Sequence, residues 1–271
     1  MLLGAGIGYL FLIAPNPRRK KRTRWQLSEQ FLAHRGLHGE NAPENSLAAF
    51  QLAAEKGFGI EMDVRRTRDG CLVIHHDESV ERTCGVNKLV RDMTETELRS
   101  LRLMGTHETI PTLDEALSLI GGRTPLLVEM KSGPGERGLP RALWQRMRDY
   151  PGLWWVESFD PRQLIWFRLH ARRVLRGQLA FDPHRAGKEQ KGVWFFLGAH
   201  LLMNFLSRPD FIAYDWEGDR NPTFRLLLRL FHPSAAAWTV KDEKTSERLK
   251  AIYTTQIFEG FCPDGEKEKE S

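Results

Sequence analysis

The sequence predicts an α/β protein of the (β/α)8 TIM-barrel class. Three observations carry this reading. Short apolar runs alternate with helix-period segments from about residue 30 to residue 261, the pattern of parallel strands covered by helices. The alternation recurs about eight times, over a length close to the roughly 250 residues typical of that barrel. No Gly-rich dinucleotide fingerprint follows the first strand, which weighs against a doubly wound open sheet.

The elements follow in order. FLAHRG (31–36) reads as the first strand. NSLAAFQLAAEKG (45–57) reads as a helix, with Leu47, Phe50 and Ala54 on one face, Asn45 or Ser46 as cap and Gly57 as stop. FGIEMDV (58–64) and CLVIHHD (71–77) are strands, and TETELRSLRL (94–103) and TLDEALSLI (112–120) are helical. TPLLVEM (124–130) is a strand, a helix lies within 138–150, LWWVES (153–158) is a strand, and PRQLIWFRLHA (161–171) is a helix. Strands within 172–180 and 210–216, a helix at 222–231, a strand at 235–240, a helix at 244–253 and a last strand at 255–261 complete the series. The strand-like runs number nine, one more than a closed barrel uses, so one is an edge or a small insertion. The segment 184–208 starts basic and becomes strongly apolar from Val193 to Leu206. It suits a helix packed on the barrel, or an interfacial segment resting on lipid. The tail 264–271 reads as disordered, and residues 26–263 form the barrel domain.

Charge locates a second feature. The chain has 271 residues, 40 Lys plus Arg against 35 Asp plus Glu, a net charge of +5. Residues 1–25 hold Arg18, Arg19, Lys20, Lys21, Arg22 and Arg24 and no acid, so the remainder carries 34 basic against 35 acidic residues. A body without net positive charge lacks the footprint of a nucleic-acid binder. Three scattered cysteines exclude a disulfide scaffold and a Cys-rich zinc module. MLLGAGIGYLFLIAP (1–15) is uncharged. As a helix it reaches about 22 Å, short of the roughly 30 Å hydrocarbon core. Its basic residues follow the apolar run, the reverse of a secretory signal. The expectation is therefore a membrane anchor at residues 1–25, with a basic patch beside anionic headgroups and the body on the cytoplasmic side. A signal peptide with unusual flanks or a disordered basic arm is the alternative.

The barrel class says where chemistry sits: at the C-terminal ends of the strands. His34 and Arg35 end the first strand, and Glu61 and Asp63 lie two apart in the second, on one face. His76 and Asp77 end the third run, and Glu129 and Lys131 are again two apart. Carboxylates inside apolar strands are costly unless paired or metal-bound. Glu61, Asp63 and Glu129 suit a hard divalent cation, Mg2+ or Ca2+, and the shortage of soft ligands makes zinc a poorer fit. Arg35 and Lys131 suit a phosphoryl group. His34 and His76 suit general acid and base. Together the set describes metal-assisted phosphodiester hydrolysis. His75 alternates to the other face and is set aside.

These residues carry a resemblance. HRGxxxxxAPENS (34–46), GIEMDVRRTRDG (59–70), LVIHHDESVERTCG (72–85), IPTLDEAL (110–117) and LLVEMKSG (126–133) resemble the glycerophosphodiester phosphodiesterase family, with ESF (157–159), AWTV (237–240) and IFEGFCP (257–263) following in order. The resemblance covers roughly residues 30–263 and is greatest to a bacterial branch with an N-terminal apolar stretch. It implies a barrel that hydrolyses glycerophosphodiesters to an alcohol and glycerol 3-phosphate. It implies His34 and His76 as the acid/base pair, Arg35 and Lys131 on the phosphate, and Glu61, Asp63 and Glu129 on the metal. It also implies an apolar wall of Phe159 and Trp238 beside the glycerol. Glu44 is expected near the site as ligand, cap or brace, and Glu259 stands where the family usually has Asp. Two other readings use the same chain: lysophospholipase D-type cleavage of lysophospholipids, and a non-catalytic membrane-associated binding module.

Overall fold

The computed structural model describes residues 2–28, 30–182 and 193–263, so the expected tail at 264–271 lies outside the described residues. The strands are β1 (Gln30–Ala33), β2 (Gly59–Arg66), β3 (Leu72–Ile74), β4 (Leu126–Met130), β5 (Trp154–Ser158), β6 (Leu175–Ala180), β7 (Phe211–Asp215), β8 (Ser234–Val240) and β9 (Thr255–Phe258). The helices of the first half are α1 (Leu2–Ile13), α2 (Lys20–Leu27), α3 (Leu47–Glu55), α4 (Glu81–Cys84), α5 (Glu95–Arg99) and α6 (Leu113–Ile120). Those of the second half are α7 (Leu139–Met147), α8 (Pro161–His170), α9 (Val193–Ala199), α10 (Asn204–Ser207), α11 (Pro222–Phe231) and α12 (Glu243–Leu249).

All strands but β3 pair in parallel, and β1 closes the sheet by pairing with both β2 and β9. The result is the expected eight-stranded barrel. The ninth run is β3, which pairs antiparallel with β2, Val64 opposite Ile74. It opens an insertion over a small core of its own, formed by Val73, Val80, Val90, Met93, Leu98 and Ile110. His76 and Asp77 therefore leave a hairpin strand and not a barrel strand.

Alternation along the strands builds two shells. Ile60, Met62 and Val64 of β2 point outward into the layer under the helices, with Val128, Phe167 and Phe224. The same alternation turns Glu61, Asp63 and Arg65 inward. Inside the barrel, Leu32, Leu127, Trp155, Leu175, Phe211, Ala236 and Ile257 fill the lower half. Gly177 is required there, because a methyl group on it would overlap the Phe211 ring. Helix starts obey capping chemistry. Ser46 Oγ accepts from Ala49 N at the head of α3, and Thr112 and Glu115 form a capping box on α6.

The N-terminal segment is part of this packing. Asn204 Nδ2 donates to Ile13 O, Arg208 Nη1 donates to Ala14 O, and Asn16 Nδ2 donates to Asp210 Oδ1. Tyr9 Oη meets Thr223 Oγ1 at the start of α11. Thr223 belongs to the catalytic end of the barrel and Asp210 to the opposite end, so α1 runs down the barrel wall with its first turns at the catalytic end. The chain then turns under the barrel. Thr23, Gln26 and Leu27 of α2 are buried, Leu27 joins the interior cluster, and Trp155 Nε1 donates to Gln26 Oε1. No helix among the described residues is long and apolar enough to cross a membrane. The expected basic patch spans the approach to this plug and the plug itself. Arg19 of the patch is pinned to Asp210 at 2.8 Å.

Candidate active site

β1, β2, β4 and β9 bring the expected side chains to one end of the barrel. The loop after β1 carries His34 and Arg35, and its backbone is strained to do so. Arg35 and Asn45 both adopt left-handed φ values, 56° and 58°, a conformation that side chains with a Cβ avoid unless the surroundings hold it. The holding bonds are visible. Arg35 N donates to Glu61 Oε2 at 3.0 Å, Asn45 N donates to Arg35 O at 2.8 Å, and Asn45 Nδ2 donates to Asp63 Oδ2 at 2.7 Å.

Glu61, Asp63 and Glu129 converge as expected. One oxygen from each lies within 4.8 Å of the other two, and all three residues are buried. Lys131 Nζ sits 2.7 Å from both Asp63 Oδ1 and Glu129 Oε2, and Arg35 Nε lies 3.3 Å from Asp63 Oδ2. The charges divide the trio. Burial alone would raise Asp63, but Lys131, His76 and Arg35 outweigh it and hold the carboxyl well below its usual range. Burial, reinforced by Asp63 and Glu129, pushes Glu61 well above it. Burial takes Glu129 up to about 7 against the pull of Lys131. Two cationic groups face three buried carboxyl groups, one too few to pair with every acid. Hard oxygen donors in this state fit a divalent cation.

Each expected catalytic histidine is oriented by a carboxylate through Nδ1, which leaves Nε2 to face the site. His34 Nδ1 lies 2.7 Å from Glu259 Oε2, and its Nε2 is 4.0 Å from Glu61 Oε2. His76 Nδ1 lies 2.6 Å from Asp77 Oδ1. Burial lowers both imidazoles, His34 against its hydrogen bond to Glu259, and His76 to about 4 against the attraction of Asp63. The His34 contact, ahead of burial, takes Glu259 down to about 2. Glu259 thus braces His34, which answers the question its identity raised.

Glu44 is a brace too. Its carboxylate accepts from Arg35 Nη1 at 2.8 Å and from Arg82 Nη1 and Nη2 at 2.9 and 2.6 Å, while Arg82 Nε reaches Asp77 Oδ2 at 2.6 Å. A continuous chain of charged bonds therefore joins Arg35 to His76. Phe159 and Trp238 meet edge to face with centroids 5.7 Å apart, and Phe181 packs on the far side of Phe159. Trp238 Nε1 has no hydrogen-bond partner. His75, set aside from sequence, is tied up by Thr83 Oγ1 and Asp77 O.

Sequence reasoning missed four helpers. Asp77 was noted beside His76 without a role, and adjacency to a histidine was its only signal. Asn45 and Arg82 lie inside the APENS and ERTCG strings but carry no periodic mark. Arg65 shares the inward parity of Glu61 and Asp63, and its Nε and Nη2 both donate to His76 O.

A profile of the glycerophosphoryl diester phosphodiesterase family matches residues 34–258. The chain belongs to that family. The Bacillus subtilis (strain 168) protein YhdW is 36% identical over 231 residues, 82% of this chain and 90% of its own length. A glycerophosphodiester phosphodiesterase of Caldanaerobacter subterraneus subsp. tengcongensis is 45% identical over 112 residues, 38% of this chain. That match spans 45% of the Caldanaerobacter protein's length. Among solved structures, the Oleispira antarctica phosphodiesterase in complex with its product sn-glycerol-3-phosphate superimposes with a TM-score of 0.70 at 24% identity, over 87% of this chain and 94% of that one. The Thermotoga maritima glycerophosphodiester phosphodiesterase gives 0.65 at 23% identity, over 84% and 93%. These likenesses support the barrel, and the family's enzymes are named for phosphodiester hydrolysis.

Proposed function

We propose that this family member hydrolyses glycerophosphodiesters to an alcohol and glycerol 3-phosphate, using a divalent cation, Mg2+ or Ca2+, with His34 and His76 as acid and base. The observation that supports it best is the convergence of two imidazoles, two cations and three close-set carboxylates at the catalytic end of one barrel. Glu61, Asp63 and Glu129 would hold the ion, which when bound supplies positive charge against the phosphoryl oxygens. Arg35 and Lys131 orient the diester and offset charge developing on it. His76, kept neutral by burial with Asp77 on Nδ1, is equipped to take the proton of the attacking hydroxyl on Nε2. His34, held through Nδ1 by Glu259, which offsets part of the effect of burial on the ring, is equipped to protonate the leaving oxygen from Nε2. Phe159 and Trp238 give the glycerol carbons an apolar wall.

The test is alcohol release from a panel of glycerophosphodiesters and lysophosphatidylcholine, with and without chelator. Hydrolysis that disappears with chelator and returns with Mg2+ or Ca2+ supports the reading. Chelator-insensitive or absent turnover overturns it, and preference for the lysolipid would favour the lysophospholipase D-type alternative.

We also propose that the catalytic end meets a membrane through apolar side chains, with the body on the cytoplasmic side; Arg19 of the basic patch lies at the opposite end of the barrel. Ile7 and Phe11 of α1 and Val193 and Phe196 of α9 are exposed. Tyr9 and His200 both reach Thr223, so these two apolar helices neighbour one another. Flotation with anionic vesicles should retain the wild type and release an Ile7→Asp/Phe11→Asp variant. Equal retention of both would end this proposal.

A further inference from the structure

A fourth carboxyl lies in the barrel interior without a hydrogen-bond partner among the described residues. Glu157 is on β5, in register with Glu129 on β4, and shares the inward parity of Trp155 and Phe159. It is 2% exposed, and its Oε2 is fully enclosed with no hydrogen bond. Burial, with Glu61 and Glu129 nearby, pushes it well above the usual carboxylate range.

Among the described residues none offers this group a donor from the β6 side. The position beside it there is Gly177, and the space over Gly177 is taken by the Phe211 ring. The other direction holds the carboxylate trio. A buried carboxyl left unsatisfied is costly, so the position needs a donor that arrives with the loaded site. Glu157 does not join the group of oxygens within 4.8 Å of one another, so it is set back from direct ligation. A water on the cation is a donor of the right kind: it lies between ligands and the surrounding shell, and its O–H bonds are polarised by the ion.

We infer that Glu157 is an outer carboxylate of the cation site, accepting a hydrogen bond from a water on the ion held by Glu61, Asp63 and Glu129 and thereby tightening that ion. The inference rests on the proposed metal site and adds a residue to it. Outer partners of metal sites typically change affinity by roughly 10- to 100-fold when lost.

The experiment is calorimetric titration of the full chain with MgCl2 and with CaCl2, for wild type, Glu157→Leu, Glu157→Gln and Glu129→Gln. Thermal unfolding of each is followed in chelator and in excess cation. Glu157→Leu should weaken binding about 10-fold or more. Its melting temperature in chelator should be no lower than that of wild type, because an orphan carboxyl has been removed, and the gain on adding cation should shrink. Glu157→Gln keeps an acceptor but no charge and should fall between; it carries the test if the Leu variant does not fold. Wild-type affinity in both Glu157 variants, with loss in Glu129→Gln, overturns this inference and leaves the metal site standing. A wild type that binds neither ion overturns both.

Discussion

Lys131→Met is the sharpest probe of the site's electrostatics. Lys131 is 7% exposed and lies 2.7 Å from both Asp63 and Glu129. At an effective dielectric near 20 each contact represents about 6 kcal/mol of bare attraction. Desolvation of the ammonium cancels most of that, and the abandoned carboxylates can take up protons. The expected net loss is that of a broken buried ion pair, about 3–5 kcal/mol. For a chain of this size each kcal/mol moves the melting temperature by about 2–4 °C, so the metal-free variant should melt roughly 10 °C lower at pH 8. The sign with pH follows from the partners. Lys131 is raised by Asp63 and Glu129 against the effect of burial, so it stays charged throughout this range. Glu129 takes a proton below about 7, which leaves only the Asp63 contact to lose at pH 5. Asp63 stays well below its usual range, so that share survives until strong acid. The deficit should therefore shrink between pH 8 and pH 5. Calorimetric or fluorimetric melts at the two pH values read this directly. A melting temperature within 2 °C of wild type at pH 8, or a deficit that grows toward pH 5, would refute the charge account.

Four more outcomes are expected. His34→Ala and His76→Ala should each lower kcat by roughly 10²- to 10⁴-fold, measured on glycerophosphocholine, with intact circular dichroism. Asp77→Asn should lower kcat far more than it changes KM, because it removes the charge and leaves one acceptor oxygen where His76 and Arg82 now each have their own; an unaltered kcat would show that Asp77 does not orient the ring. With burial holding His76 near 4, its base form is lost only as pH falls through about 4, so at saturating cation the acid limb of kcat/KM from this group lies there and not near 6.5. A limb at 6.5 that vanishes in His76→Ala would contradict the burial effect. Asp210→Asn removes the charge that Arg19 and Arg176 share and leaves one acceptor oxygen for those two and Asn16; it should cost about 3–5 kcal/mol, read as a lower melting temperature and faster tryptic cleavage within residues 18–24.

Most of the barrel was legible because its strands are apolar runs bounded by helix signals such as Ser46 and Thr112. The trio was legible because a two-residue spacing fixes a shared face. β3 misled: three buried apolar residues look alike whether the strand pairs in parallel within a barrel or antiparallel outside it, and pairing direction depends on chain far away. The α2 plug was hidden under its charge, although Thr23, Gln26 and Leu27 fall three and four apart, the spacing of a buried helical stripe. The Glu44–Arg82–Asp77 links were not legible, since exposed-looking charges give no sign of their partners until the loops meet. Glu157 was visible in the ESF string, yet nothing local marks a strand-end acid as inward and orphaned.

The seam between α2 and the underside of the barrel has a practical corollary. A worker trimming the hydrophobic leader for expression would naturally cut just past the arginine-rich stretch, near residue 25. That cut would remove most of α2 and, with it, Asn16 and Arg19, leaving Asp210 with Arg176 as its ion-pair partner among the described residues. A start near Pro15 keeps Asn16, Arg19 and Leu27 in place, while giving up the buried Ile13 and the Ile13 and Ala14 carbonyls that Asn204 and Arg208 bond.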